Sequence, residues 1–209
     1  MNDSKRFAPA TERNREPILQ VLLRVLPSQG TVLEIASGTG QHAVFFANRL
    51  QQRYWLPSDP NPLNRDSITA WRRDCSLENL YAPLDIDVHE TTWLVEQQEY
   101  HQTITAIVNI NMIHISPWSA CLGLMAGANR ILTSQGILYL YGPFKQRGKH
   151  TAPSNEAFDT YLQSQNPEWG VRDLEQVVEV AKAQNLILQE IIAMPANNLS
   201  VVFKRENSY

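Results

Sequence analysis

Apolar positions along this chain switch repeatedly between a helical and an extended period. Ile18, Leu19, Leu22, Leu23, Val25 and Leu26 form a helical stripe over residues 15–26, ended by Pro27. An apolar strand at 31–36 runs into Gly38 and Gly40. After the glycines, Ala43, Phe46, Ala47 and Leu50 recur at i, i+3, i+4 and i+7 and predict an amphipathic helix. A short strand at Tyr54–Pro57 meets Ser58-Asp59-Pro60-Asn61-Pro62, whose prolines force a turn before a helix at 63–75. The pattern then predicts a third strand at 80–86 and a short helix at 90–97. A β-branched buried strand follows at Thr103–Asn109, then a helix from Pro117 to Arg130 and a strand at Gly136–Tyr141.

Residues 142–170 are rich in Gly, Pro, Lys and Trp and read as an irregular insertion with one short helix at 155–164. Leu174, Val177, Val178 and Ala181 share one face of a helix at 171–184. Strands at 186–193 and 199–204 are joined by the turn Met194-Pro195-Ala196-Asn197-Asn198. Alternating strands and helices predict an α/β fold with a mostly parallel sheet. No boundary divides the chain, so one domain is expected over 1–209. Within it, 1–30 form an N-terminal helix or lid, and 142–170 lie near the substrate side.

Composition narrows the class. The chain has 209 residues, 43% of them hydrophobic, enough for one good-sized core. No apolar run approaches the roughly 18 residues of a spanning helix, and no apolar stretch follows Met1–Arg6, so neither a membrane span nor a signal peptide is expected. Net charge of −3 argues against a broad nucleic-acid-binding face. Cys75 and Cys121 stand apart without metal or redox spacing, which suits a reduced, cytoplasmic protein that binds no metal.

The glycines carry the chemistry. A turn at the carboxyl end of the first strand lets a cofactor approach bare backbone. Gly38-Thr39-Gly40-Gln41-His42-Ala43 also fits the dinucleotide pattern G-x-G-x-x-G/A, which alone is a weak match. Glu34 separates the cofactor classes: a carboxylate repels a pyrophosphate but attracts the ammonium and sulfonium of S-adenosylmethionine (SAM). Asp59, where the second strand should end, suits both ribose hydroxyls. Asp85 or Asp87, after the third strand, could take the adenine amino group.

With these residues in order, the chain resembles the class I SAM-dependent methyltransferases over nearly its whole length. It is most similar to a small methyltransferase-like family of undefined substrate. The phrases that carry this likeness are Arg6–Ala10 with Arg13-Asn14, Asn111–Pro117, Tyr141-Gly142-Pro143, Asn166–Gly170 and Met194–Asn198. The resemblance implies a Rossmann-like seven-stranded sheet in the order 3-2-1-4-5-7-6, with strand seven antiparallel. It also implies cofactor contacts at Glu34, Gly38, Gly40 and Asp59, with Asp87 preferred over Asp85. Ala36, Pro60 and Asn109 adjoin these and complete the expected set. The usual E/D-x-G-x-G-x-G departs here at Ala36, which stands in place of a glycine.

Ligands of open α/β sheets sit over the carboxyl ends of the strands. That rule makes Asn111, His114 and Tyr141 the candidate catalytic residues, beside the turn holding Asn197 and Asn198. His114 has the right ordinary pKa for a base, or else is held by a backbone carbonyl. Asn109-Ile110-Asn111-Met112 lacks the Pro-Pro-aromatic sequence of nucleic-acid amine methyltransferases. Lys145, Arg147, Lys149 and His150 form a basic loop that either meets an anionic substrate or is simply solvated. Trp118, Phe144 and Trp169 either wall a pocket or pack the core.

Three functions follow. The first is a SAM-dependent methyltransferase acting on oxygen or nitrogen of a small molecule or a protein side chain, as a monomer or homodimer. The second is a SAM-binding protein without catalysis. The third is a short-chain-type NAD(P) oxidoreductase, spelled by Tyr141-x-x-x-Lys145, though Gly142 and Pro143 oppose the helix that pair requires.

Overall fold

The computed structural model describes residues 4–97, 100 and 104–206. Its main sheet has six strands in the order β2-β1-β3-β4-β9-β8. These are β1 (Thr31–Ile35), β2 (Tyr54–Pro57), β3 (Ile104–Ile110), β4 (Ile137–Gly142), β8 (Leu186–Met194) and β9 (Asn198–Arg205). β2, β1, β3 and β4 are parallel, and β9 runs antiparallel to both β4 and β8. Thr103, the expected start of the strand now labelled β3, lies outside the described residues.

The order matches the expectation except at one edge. Residues 80–86 do not form a continuous strand and, among the described residues, make two isolated parallel bridges, Trp55 with Leu80 and Ser58 with Leu84. Proline explains the break. Tyr81 N–H donates to Trp55 O (2.9 Å) and Leu84 N–H to Pro57 O (3.0 Å). Pro57 and Pro83 have no N–H to give, so the ladder fails between those bonds. The sequence offset between bridged partners grows by one residue from the first bridge to the second, a bulge where proline interrupts pairing.

Side-chain alternation sorts the core into two layers. Leu33, Ile35, Ile107, Leu138 and Phe203 face α4 (Trp118–Ile131) and α6 (Leu174–Ala183). Val32, Ala106, Val108 and Tyr139 face α1 (Pro9–Val25) and α2 (Gln41–Arg49) through Ile18, Leu22 and Phe46. β3 is thus buried on both faces, as a central parallel strand must be. α1 begins six residues before its apolar stripe because Pro9, at the start of the helix, presets the dihedral of the first turn.

α3 (Pro62–Asp74) follows the Asn61 cap, whose side chain accepts from Leu63 N–H. The helix expected at 90–97 shortens to a 3-10 turn at Leu94–Gln97. The segment before it lies tight on α4. A Cβ on Gly123 would meet Val88 O at 2.2 Å, and one on Gly127 would meet the Trp93 ring at 2.0 Å.

The insertion is more ordered than its composition suggests. β5 (Phe144–Gln146) and β6 (Lys149–His150) form a hairpin whose tip, Arg147 and Gly148, has positive φ at both residues (54° and 71°). β7 (Arg172–Asp173) pairs parallel to β5, and α5 (Pro153–Gln165) connects β6 to β7 along the chain. Among the described residues, no helix is long and apolar enough to cross a membrane.

Candidate active site

The turn after β1 is built by left-handed backbone. Ala36, Gly38 and Gly40 have φ of 57°, 56° and 86°. A Cβ on Gly40 would meet Ile68 of α3 at 2.8 Å, so α3 can approach only a glycine there. A Cβ on Gly38 would meet nothing within 4 Å among the described residues, so this glycine borders open space. Ala36 adopts the same strained conformation with its methyl in place.

β2 delivers Asp59 against this turn. Its Oδ2 accepts the Gly38 N–H (2.9 Å), and Oδ1 accepts from Asn61 N–H (2.9 Å) and Asn64 Nδ2 (3.1 Å). Pro60 contributes its carbonyl to Arg65 Nη1 (2.8 Å), and Arg65 also pairs with Asp85 (3.0 Å). Glu34 lies behind the turn, 2% exposed, with Oε2 accepting the Trp55 indole N–H at 2.9 Å. Burial pushes its pKa up to about 7; bonds from Trp55 and Ser37 oppose the rise, and the Asp59 charge adds to it.

The other expected cofactor residues divide. Asn109, at the end of β3, is buried and donates from Nδ2 to Ile35 O (3.1 Å), while its Oδ1 has no partner among the described residues. Asp87 is exposed, and its Oδ1 accepts from His89 N–H (3.0 Å) and lies 2.6 Å from His89 Nδ1. Asp85 is therefore committed to Arg65, and Asp87 to His89.

A strap at residues 5–8 crosses the glycine turn, which pattern reading did not locate. Arg6 N–H donates to Ser67 Oγ (2.8 Å), Ser67 Oγ donates to Thr39 O (2.8 Å), and Ala8 N–H donates to Gln41 Oε1 (2.6 Å). Lys5 pairs with Asp74, and the Trp71 indole N–H donates to Arg6 O (3.2 Å). The only sequence sign of this strap was the Arg6–Ala10 phrase; its partners are 33 to 69 residues away.

At the carboxyl ends of β3 and β4, the three candidate catalytic residues have distinct surroundings. Asn111 is left-handed (φ 66°), and its N–H donates to Tyr141 O (2.8 Å). The Tyr141 hydroxyl bonds the side chains of Asn14 and Asn198, and burial, the largest cause, raises its pKa. Asn14 Oδ1 also accepts from His42 Nε2 (2.8 Å), so α1, α2 and β4 meet at one amide, and β9 joins them through the Tyr141 hydroxyl. His42 stacks on Phe46, and burial, helped by the Arg15 charge, pushes its pKa down to about 3.

His114 has no exposed surface. Its carbonyl accepts Gly170 N–H (2.9 Å) and its Nδ1 accepts Arg172 N–H (3.3 Å). Its Nε2 faces Gly142, where a Cβ would sit 2.5 Å away, and the Phe144 ring meets the imidazole edge-on. Burial and the Arg172 charge push its pKa down to about 3, so the ring is neutral and enclosed. Arg172 completes a clasp over the turn after β3, donating to Ile113 O (2.9 Å), Ser116 O (2.6 Å) and Glu168 O (2.8 Å).

The basic loop does not present all its charge outward. Lys145 Nζ and His150 Nε2 both turn to the buried Asp159, at 2.7 and 3.2 Å. Tyr141 and Lys145 lie on β4 and β5, so the one-turn helical pair that a short-chain oxidoreductase needs is absent. Phe144 is core, while Trp118 lies under Arg172 at 5.7 Å.

Comparison with solved structures shows the fold. An O-methyltransferase family protein from Burkholderia thailandensis aligns with a TM-score of 0.77 at 13% identity, over 96% of this chain and 58% of its own. Human N-acetylserotonin methyltransferase, solved in complex with SAM, aligns with a TM-score of 0.74 at 10% identity, over 95% of this chain and 53% of its own. The chain thus spans little more than half of either. The YcgJ protein from Bacillus subtilis aligns over 94% of this chain and 100% of its own, with a TM-score of 0.68 at 10% identity. The architecture is the Rossmann-like one of class I methyltransferases. Residues 5–205 match one protein family, and the chain belongs to it: Protein of unknown function (DUF938).

Proposed function

We propose that the protein binds SAM across the carboxyl ends of β1, β2 and β3 and transfers its methyl group to oxygen or nitrogen of a small molecule or protein side chain. The observation that carries this reading is the bond from Gly38 N–H to Asp59 Oδ2, which joins a bare turn and an acid into one cradle.

In this reading Asp59 holds the ribose. Its carboxylate has about four lone-pair sites, and three are occupied by protein N–H groups. One hydroxyl takes the remaining site, and the other replaces the longer bond from Asn64. Gly38 lets the donor lie against backbone, Gly40 lets α3 close behind the turn, and Ala36 shapes its start. The unpartnered Asn109 Oδ1 suits the donor's ammonium, because a buried acceptor without a donor costs free energy until one arrives. Glu34 adds negative charge beneath that ammonium, and the incoming cation favours its ionised form. Asp87 would exchange His89 for the adenine amino group, and Pro60 shapes the turn beside it.

Methyl transfer from an activated sulfonium asks the protein mainly to orient the acceptor. Asn111, with its left-handed backbone at the end of β3, is the side chain best placed to do so. His114 and Tyr141 support that position from within rather than by taking a proton, since both are enclosed. The likeness of fold to SAM-bound and S-adenosylhomocysteine-bound methyltransferases supports the choice of donor.

Incubating the protein with methyl-tritiated SAM and a cell extract tests transfer. Label is expected in a metabolite or protein fraction and is expected to vanish with Asp59→Ala. Cofactor binding with no labelled product would leave a binding protein without catalysis.

A further inference from the structure

A cavity of about 380 Å³ lies apart from the glycine turn, between α1, α2 and α3. Its walls include Phe45, Trp71, Val44 and Leu77. Arg15 also lines it, with its guanidinium 4.9 Å from the Phe45 ring centroid. Among the described residues Arg15 has no carboxylate partner, unlike Arg49 on the same ring, which lies 3.7 Å from Glu16. Among the described residues, no acidic side chain lines the cavity. The volume falls in the range of small-molecule sites, about 300–1,000 Å³.

These features agree on one ligand chemistry. Two aromatic side chains offer surface to a planar ring, each beside a cation, with Arg15 over Phe45 (4.9 Å) and Lys5 over Trp71 (4.8 Å). A guanidinium without an anion offers charge-assisted hydrogen bonds at one end. We infer that this cavity binds a small planar aromatic anion, with its ring against Phe45 and Trp71 and its carboxylate, sulfonate or phosphate on Arg15. Gln41 borders the cavity, and its Oε1 accepts from Ala8 N–H and Thr39 Oγ1 at the glycine turn. The ligand therefore lies next to the cradle without occupying it.

8-Anilinonaphthalene-1-sulfonate has this chemistry and reports its own binding by fluorescence. Titration of the full chain is expected to show one saturable site with energy transfer from tryptophan, and Trp71→Phe is expected to reduce that transfer. Arg15→Gln is expected to weaken binding about tenfold. Arg73→Gln, the same charge change at an exposed position on α3, is expected to leave it unaltered. S-adenosylhomocysteine is expected not to displace the probe. Absence of a saturable site, equal losses in Arg15→Gln and Arg73→Gln, or displacement by S-adenosylhomocysteine would each overturn the inference. None of these outcomes depends on whether the protein transfers methyl groups.

Discussion

Asp59 Oδ2 accepts the Gly38 N–H at 2.9 Å, which makes the end of β2 and the turn after β1 one mechanical unit. Removing the carboxylate should loosen that unit even without ligand. Asp59→Ala is expected to speed amide exchange at Gly38 and to cost about 1–2 kcal/mol of stability. Unchanged exchange at Gly38 would show that the acid does not hold the turn.

Glu34 titrates near pH 7 in the folded protein, against an ordinary value of 4.5. Between these values the folded state holds a proton that the unfolded chain has released. Stability therefore falls as pH rises through this window. Glu34→Gln cannot ionise and still offers an oxygen to Trp55. It is expected to be more stable than the parent at pH 8, by on the order of 3 kcal/mol, and to match it near pH 4. Parallel stability curves for the two proteins from pH 4 to 8 would contradict this.

The cradle was legible because its parts are local: an apolar strand, two glycines, and an acid at the end of the next strand. The third strand was misread because apolar pattern ignores missing donors, and Pro57 with Pro83 removes two from one ladder. The hairpin in the insertion has one sign, the glycine turn Arg147-Gly148, but its strands of three and two residues are too short to show an apolar alternation. The enclosure of His114 had none. It depends on Gly170 and Arg172, more than fifty residues away, and no periodicity encodes that contact. Tyr141 is similar: its partners Asn14 and Asn198 come from opposite ends of the chain.

Ala36 holds φ at 57° with a methyl group that favours negative values. Ala36→Gly relieves that strain, although it also frees the unfolded chain. The net effect is expected to be a gain of about 0.5–1 kcal/mol, read as a higher denaturant midpoint at constant slope. A lower midpoint would mean that packing around the methyl outweighs the backbone.

Arg172 donates to three carbonyls of two segments, residues 113–116 and Glu168. Arg172→Met keeps much of the apolar stem and removes every donor. A loss of about 2–3 kcal/mol is expected, with faster hydrogen exchange confined to residues 112–118 and 168–172. Exchange that stays at parental rates there would exclude the clasp.

The central claim is tested most directly by calorimetric titration of S-adenosylhomocysteine into the parent protein and into Asp59→Ala. One-to-one binding to the parent is expected, weakened by about 1–3 kcal/mol in the variant through loss of the ribose bonds. No heat from the parent at high ligand concentration, or equal affinity in both proteins, would contradict it.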